Sequence, residues 1–121
     1  MRVIIGVFVL LLCISGGASR AAENTPRGAV YQTRYMLAGY LLRAGTVCEA
    51  ESKRTITAAF SLVATEELKA MSNAYPATTE RWMTEGADNF NTEVMKNGIK
   101  PACASAMADR QHVEGVSKSH E

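Results

Sequence analysis

The chain has only two histidines, His112 and His120, and both stand within its last ten residues. Serine or cysteine triads and other acid–base devices built on a core imidazole therefore have nothing to use. A zinc or copper site needs three or four converging ligands, and Glu114 and Glu121 are the nearest carboxylates to these histidines in sequence, so no metal and no cofactor is expected. Charge of one sign is missing as well: 13 Lys and Arg face 12 Asp and Glu, with the signs interspersed. Nucleic acid and acidic lipid surfaces are held by concentrated basic charge, so neither is an expected partner. The sequence has no phosphate-cradling glycine loop, no haem-attachment motif and no closely spaced cysteine pair. Asp88-Asn89-Phe90-Asn91 fails as a calcium loop because phenylalanine stands third and no glycine stands sixth. There is no internal repeat and no strand-like alternation, and the longest apolar run ends at Ile14, too short to span a bilayer as a helix.

What is present begins with an export signal. Met1-Arg2 and the apolar run from Val3 to Ile14 form a charged n-region and a hydrophobic h-region. Small residues follow, and Ser19-Arg20-Ala21 places small side chains third and last before a cut after Ala21, with Ala18 the alternative. Residues 1–21 read as a signal peptide, which places the protein in a periplasm or outside the cell, without a membrane span after cleavage. Removing Arg2 and Arg20 from the 13 basic residues leaves eleven against all twelve acids. Removing Cys13 leaves Cys48 and Cys103, an even number in a disulfide-permissive compartment, and the two are expected to pair.

The mature chain reads as helices throughout. Thr25-Pro26 is a hydroxyl N-cap followed by proline at the first helical position, and Gly45 supplies a stop after about Ala44. Val30, Leu37, Leu41 and Ala44 share one stripe of this helix, while Tyr31, Tyr35, Ala38 and Leu42 form another more than about 90° away. A helix so apolar around its circumference belongs at the centre of a bundle. Ser52 caps a second helix with Ile56, Phe60 and Val63 at helical spacing. Thr65, with Glu66 and Glu67 behind it, either caps a third or sits inside one continuous helix from 53 to 74. Tyr75-Pro76 breaks the pattern and Thr78 or Thr79 restarts it. The fourth helix carries Met83, Ala87, Phe90 and Val94 inward and Glu85, Asp88, Thr92 and Lys96 outward. After Asn97-Gly98, Pro101 opens a fifth helix holding Cys103 and Met107. The expected fold is all-α, a small bundle of four or five helices with one disulfide, with the helical domain at 22–112 and a flexible tail at 113–121.

Function is less legible. Glu85 and Asp88 face outward, where carboxylates are ordinarily solvated, so no catalytic residue is assigned and a non-enzymatic role is expected. Trp82 falls at the edge of the fourth helix's stripe. With Tyr75 and Arg81 it offers the residue types enriched at binding hot spots, and the stripe of Tyr31 and Tyr35 is a second candidate surface for a protein partner or a homodimer. The plan of leader, small helical domain and one long-range disulfide resembles that of periplasmic acid-stress chaperones. The order helix, cysteine, helix, proline, helix, cysteine is similar to that of immunity proteins that neutralise secreted toxins. These resemblances imply, as alternatives to general partner binding in a bacterial envelope, an acid- or stress-responsive chaperone or a toxin-neutralising protein.

Overall fold

The computed structural model describes residues 26–119, with side chains from 28 to 116; the expected signal peptide at 1–21, the expected cap Thr25, and His120 and Glu121 lie outside the described residues. Five helices follow one another: α1 Pro26–Val47, α2 Ser52–Leu62, α3 Glu66–Ala74, α4 Pro76–Asn97 and α5 Ile99–Ser119. No strand occurs among the described residues, and none of their helices is long and apolar enough to cross a membrane. α1 is the central element, packed most extensively on α4 and α2 and also touching α5. Its apolar circumference is explained by these several neighbours. Leu41, Ala44 and Tyr40 face a core shared with Ala58 and Ala59 of α2, Phe90 of α4, and Ala102, Ala106 and Val113 of α5.

The closest packing in the molecule is between α1 and α4, and two glycines make it possible. A methyl group added to Gly39 would stand 1.9 Å from the carbonyl oxygen of Met83, and one added to Gly86 would stand 1.8 Å from that of Met36. Each helix thus presents a glycine to the other's backbone, where no side chain fits. This contact rotates α4 so that Trp82, Gly86 and Phe90 face inward, with Thr78 and Thr79 buried at its start, while Met83, Ala87 and Val94 are half-buried.

Several boundaries differ from the sequence reading. α1 does not stop at Gly45 but continues to Val47, and Gly45 is instead a packing site, its missing side chain leaving room for the Ile56 Cγ1. Ser52 does not cap α2. It is the first residue of that helix, and its hydroxyl donates to the Gly45 carbonyl at 2.5 Å, closing the end of α1. α2 buries Thr55, Ala58 and Ala59 and leaves Phe60 exposed, because Phe60 stands about 100° round the helix from Ala59, off the face turned to α1. Thr65 does cap α3, accepting from the Leu68 amide at 3.3 Å, so α2 and α3 are separate helices. α4 starts at Pro76 rather than at a threonine.

The largest difference is at the carboxyl end. Residues 113–119, expected as a flexible tail, continue α5 in helical form, and Val113 is buried. The reason is visible along one face: Cys103, Ala106, Arg110 and Val113 recur at helical spacing, and Arg110 is buried to 1% exposure. Cys48, just past α1, and Cys103, one turn into α5, form the disulfide, with Cα atoms 5.9 Å apart.

Candidate functional site

The aromatic residues singled out in the sequence do not form one surface. Trp82 has no exposure and Tyr35 has 3%. Their rings meet with centroids 6.1 Å apart, and with Leu68 and Met71 they make a second core that fastens α3 to α1 and α4. The Tyr35 hydroxyl donates to the Leu68 carbonyl at 2.5 Å, and burial raises the pKa of its phenol. Tyr31, half-buried, donates to the Glu67 carboxylate. These two tyrosines therefore hold α3 in place. Trp82 and Tyr35 are withdrawn from the partner surface because the glycine contact pulls their side of the helices inward. Tyr75 is 38% exposed, and exposed Arg81 lies 3.8 Å from Glu85 across one helical turn. Of the five, Tyr75 and Arg81 are exposed, Tyr31 is half-buried, and Trp82 and Tyr35 are enclosed.

Where the tyrosine stripe of α1 runs past Tyr35, it opens into a groove. Leu42 of α1 and Met83 and Ala87 of α4 are half-buried there, Gly39 leaves the floor at backbone level, and Pro76 closes one end. Its cavity measures about 680 Å³. Arg43 and Glu80 bring opposite charges to its rim, and Thr46 and Thr84 bring hydroxyls. The Arg43 Nε is steadied by the side-chain oxygen of Asn91 at 3.0 Å. The sequence signal for this groove was the pair of apolar stripes on α1: the lower part of the second is covered by α3, and the upper part, at Leu42, lies beyond that short helix.

Two polar clusters flank α5. In the first, the Tyr40 hydroxyl donates to Glu93 Oε2 at 2.8 Å and lies 3.4 Å from Ser105 Oγ, beside a notch that Asp109 also lines. Burial foremost pushes the Tyr40 pKa up to about 12, so at neutral pH it serves as a donor and not as a base. Burial, then the charge of Glu93, raises Asp109. In the second cluster, Arg110 is bracketed by Glu51 Oε2 at 2.8 Å and Glu114 Oε1 at 3.4 Å, with Thr55 Oγ1 at 3.4 Å. Arg54 joins it, 2.8 Å from Glu114 and 3.3 Å from Glu51. Glu51 is held in the left-handed region at φ 56°, a conformation costing roughly 1–2 kcal/mol in a residue with a Cβ. The pairing with Arg110 is the compensation visible here.

These pairings fix a pH response. Hydrogen bonds to Arg110 hold Glu51 below the usual carboxylate range, and hydrogen bonds to Arg54 do the same for Glu114. A depressed folded pKa contributes stability above the unfolded value, about 4.3 for glutamate, and that contribution is lost as pH falls through the folded pKa. Asp109 has the opposite sign. Being raised, it is better protonated in the folded state, and its burden is relieved as pH falls toward the unfolded aspartate value, about 3.9. Denaturant titrations of the Glu51→Gln, Glu114→Gln double variant should show lower stability than the wild type at pH 7 and convergence with it below about pH 3. Asp109→Asn should be at least as stable as the wild type at pH 7. Parallel pH profiles for wild type and double variant would refute the assignment.

Among the described residues, no three His, Cys, Asp or Glu side chains gather as a metal site. His112 is exposed on α5, and Glu114, its expected companion, is engaged by arginines. Comparison with protein-family models, curated proteins and solved structures returns no match to this chain.

Proposed function

We propose that this chain is an exported, non-enzymatic binding protein that seats a segment of a protein partner in the groove between α1 and α4. The observation that carries this reading is the uncovered apolar floor of Leu42, Met83 and Ala87, flanked by Arg43 and Glu80 on two helices locked at backbone level. A floor that cannot shift is preorganised, and preorganisation lowers the ordering cost of binding. Methionine and leucine adapt to an apolar helix face, while the paired rim charges select a segment with a basic and an acidic residue on its flanks. The leader and the cysteine pair in the sequence support export.

The test is position-resolved crosslinking in the native host. A photoreactive phenylalanine analogue at Thr84 or Thr46, both exposed, should yield one discrete protein adduct, and the same analogue at Lys53, exposed on α2, should not. Glu80→Arg should weaken capture by about tenfold, the loss of one good interfacial charge pair. Adducts of equal yield at all positions, or none at the groove, would overturn the reading.

A second reading, an acid-responsive chaperone, is supported by Arg110. Protonating Glu51 and Glu114 leaves a buried guanidinium without counterions, a condition costing several kcal/mol in buried pairs, and this loosens α5 from the disulfide outward. Client protection no greater at about pH 2 to 3 than at pH 7 would remove it.

A further inference from the structure

On the side of the molecule formed by α1, the end of α2 and the latter part of α5, a cavity of about 480 Å³ combines aliphatic walls with basic and hydroxyl groups. Its apolar walls are Leu37, Leu62, Val113 and Val116. Its polar groups are Arg34 and His112, with the hydroxyls of Ser61 and Thr65, and no carboxylate among the described residues lines it. The other arginines for which contacts have been given are engaged: Arg43 with Asn91, Arg54 with Glu51 and Glu114, Arg81 with Glu85, and Arg110 with Glu51 and Glu114. No described carboxylate is paired with Arg34. Glu67 shares an adjacent notch with it but accepts the Tyr31 hydroxyl, and Asp109 interacts electrostatically with His112 from the preceding turn.

From this juxtaposition we propose that the cavity is a binding site for a free amphipathic monoanion, a medium-chain alkyl carboxylate, with its chain against the four aliphatic residues and its head group on Arg34 and His112. The volume falls within the range of about 300–1,000 Å³ usual for small-molecule sites. A guanidinium is geometrically matched to a carboxylate, forming two parallel hydrogen bonds. Thr65 at the wall accepts from the Leu68 amide and keeps its hydroxyl proton to donate to a carboxylate oxygen, while Ser61 already donates to the Ala58 carbonyl at 2.7 Å. An alkylammonium of the same length meets two basic side chains and is rejected, so the head group and the chain are read separately. This site lies away from the α1–α4 groove, and its fate is independent of the partner-binding reading.

The experiment is calorimetric titration of the mature, oxidised chain with sodium octanoate and sodium decanoate at pH 7, below their micellar concentrations. Each should saturate at one per chain, and decanoate should bind about tenfold or more tightly, since each buried methylene contributes roughly fourfold. Decyltrimethylammonium should show no saturable binding. Arg34→Glu, an exposed position with no described ion pair to lose, should weaken decanoate by about tenfold or more while leaving the circular dichroism spectrum and melting temperature nearly unchanged. Val116→Trp, also at an exposed position, should block the chain and weaken both carboxylates. The proposal is overturned by equal affinity for the two head groups, by no dependence on chain length, or by unaltered binding in both variants. Association with phosphatidylglycerol vesicles without saturable decanoate binding would overturn it too, since that outcome assigns the surface to a membrane.

Discussion

Gly39→Ala and Gly86→Ala should each cost about 3 kcal/mol or more of folding stability, lowering the melting temperature by roughly 12 °C or more for a domain of this size. Taken alone, alanine is the better helix former by about 1 kcal/mol, so the prediction reverses the sign that propensity gives. The reversal rests on what the new methyl groups meet. At 1.9 Å from the Met83 carbonyl oxygen and 1.8 Å from that of Met36, they meet backbone, which cannot rotate away as a side-chain tip does. The helices must separate, and separation uncovers Trp82 and Phe90 together, because both lie on the face that Gly86 brings inward. Gly115 supplies the internal control. A methyl group there has nothing within 4 Å, so Gly115→Ala should be neutral or stabilise by up to about 1 kcal/mol. Thermal and urea unfolding of the three single variants decides the matter. A stabilising effect at Gly39 or Gly86 would mean that the two helices do not touch at backbone level.

The same two glycines explain why the inner face of α4 was misplaced from sequence. A hydropathy pattern weighs side chains, and the stripe of Met83, Ala87, Phe90 and Val94 is the heaviest on that helix. The face that turns inward is centred on Trp82, Gly86 and Phe90, and its middle residue has no side chain to weigh. Phe90 belongs to both readings; Trp82 belongs only to the second. Elements set by local chemistry were legible: the break at Tyr75-Pro76, the glycine at Gly98 and the all-round apolarity of α1 each act within a turn of the residues that reveal them, and the Thr65 cap was one of two readings, whereas the start of α4 was placed at a threonine instead of at Pro76. Arg110 was not, since a charged residue among polar neighbours ordinarily marks solvent. Its position was nonetheless informative, seven residues after Cys103 and so on the same face, with Glu114 one turn on and Glu51 three residues past Cys48. The groove was half legible. The second stripe of α1 announced that more than one neighbour was required, but the shortness of α3, nine residues, leaves Leu42 partly uncovered.

Replacing both cysteines, Cys48→Ser with Cys103→Ser, should remove about 4 kcal/mol of stability, the loop-closure value for a separation of 55 residues. The loss should fall unevenly across the molecule. α5 buries only small or charged side chains against the bundle, chiefly Ala102, Ala106, Arg110 and Val113, so it gains little from apolar area. What holds it are the covalent link at one end of its inner face and the Arg110 cluster two turns further on, and both reach the same short connection between α1 and α2. The core of Tyr35, Leu68, Met71 and Trp82 contains no residue of α5. Hydrogen exchange on the double variant should therefore show α5 amides losing protection first, while the amides around Gly39 and Gly86 remain slow and Trp82 fluorescence stays native at low temperature. Adding Glu51→Gln to the double variant should then cost more than it does in the disulfide-bonded protein, because the two ties act on one joint and such neighbours are not additive. Uniform loss of protection along all five helices would show instead that the bundle opens only as a whole, and α5 would no longer be the element that acid or reductant releases.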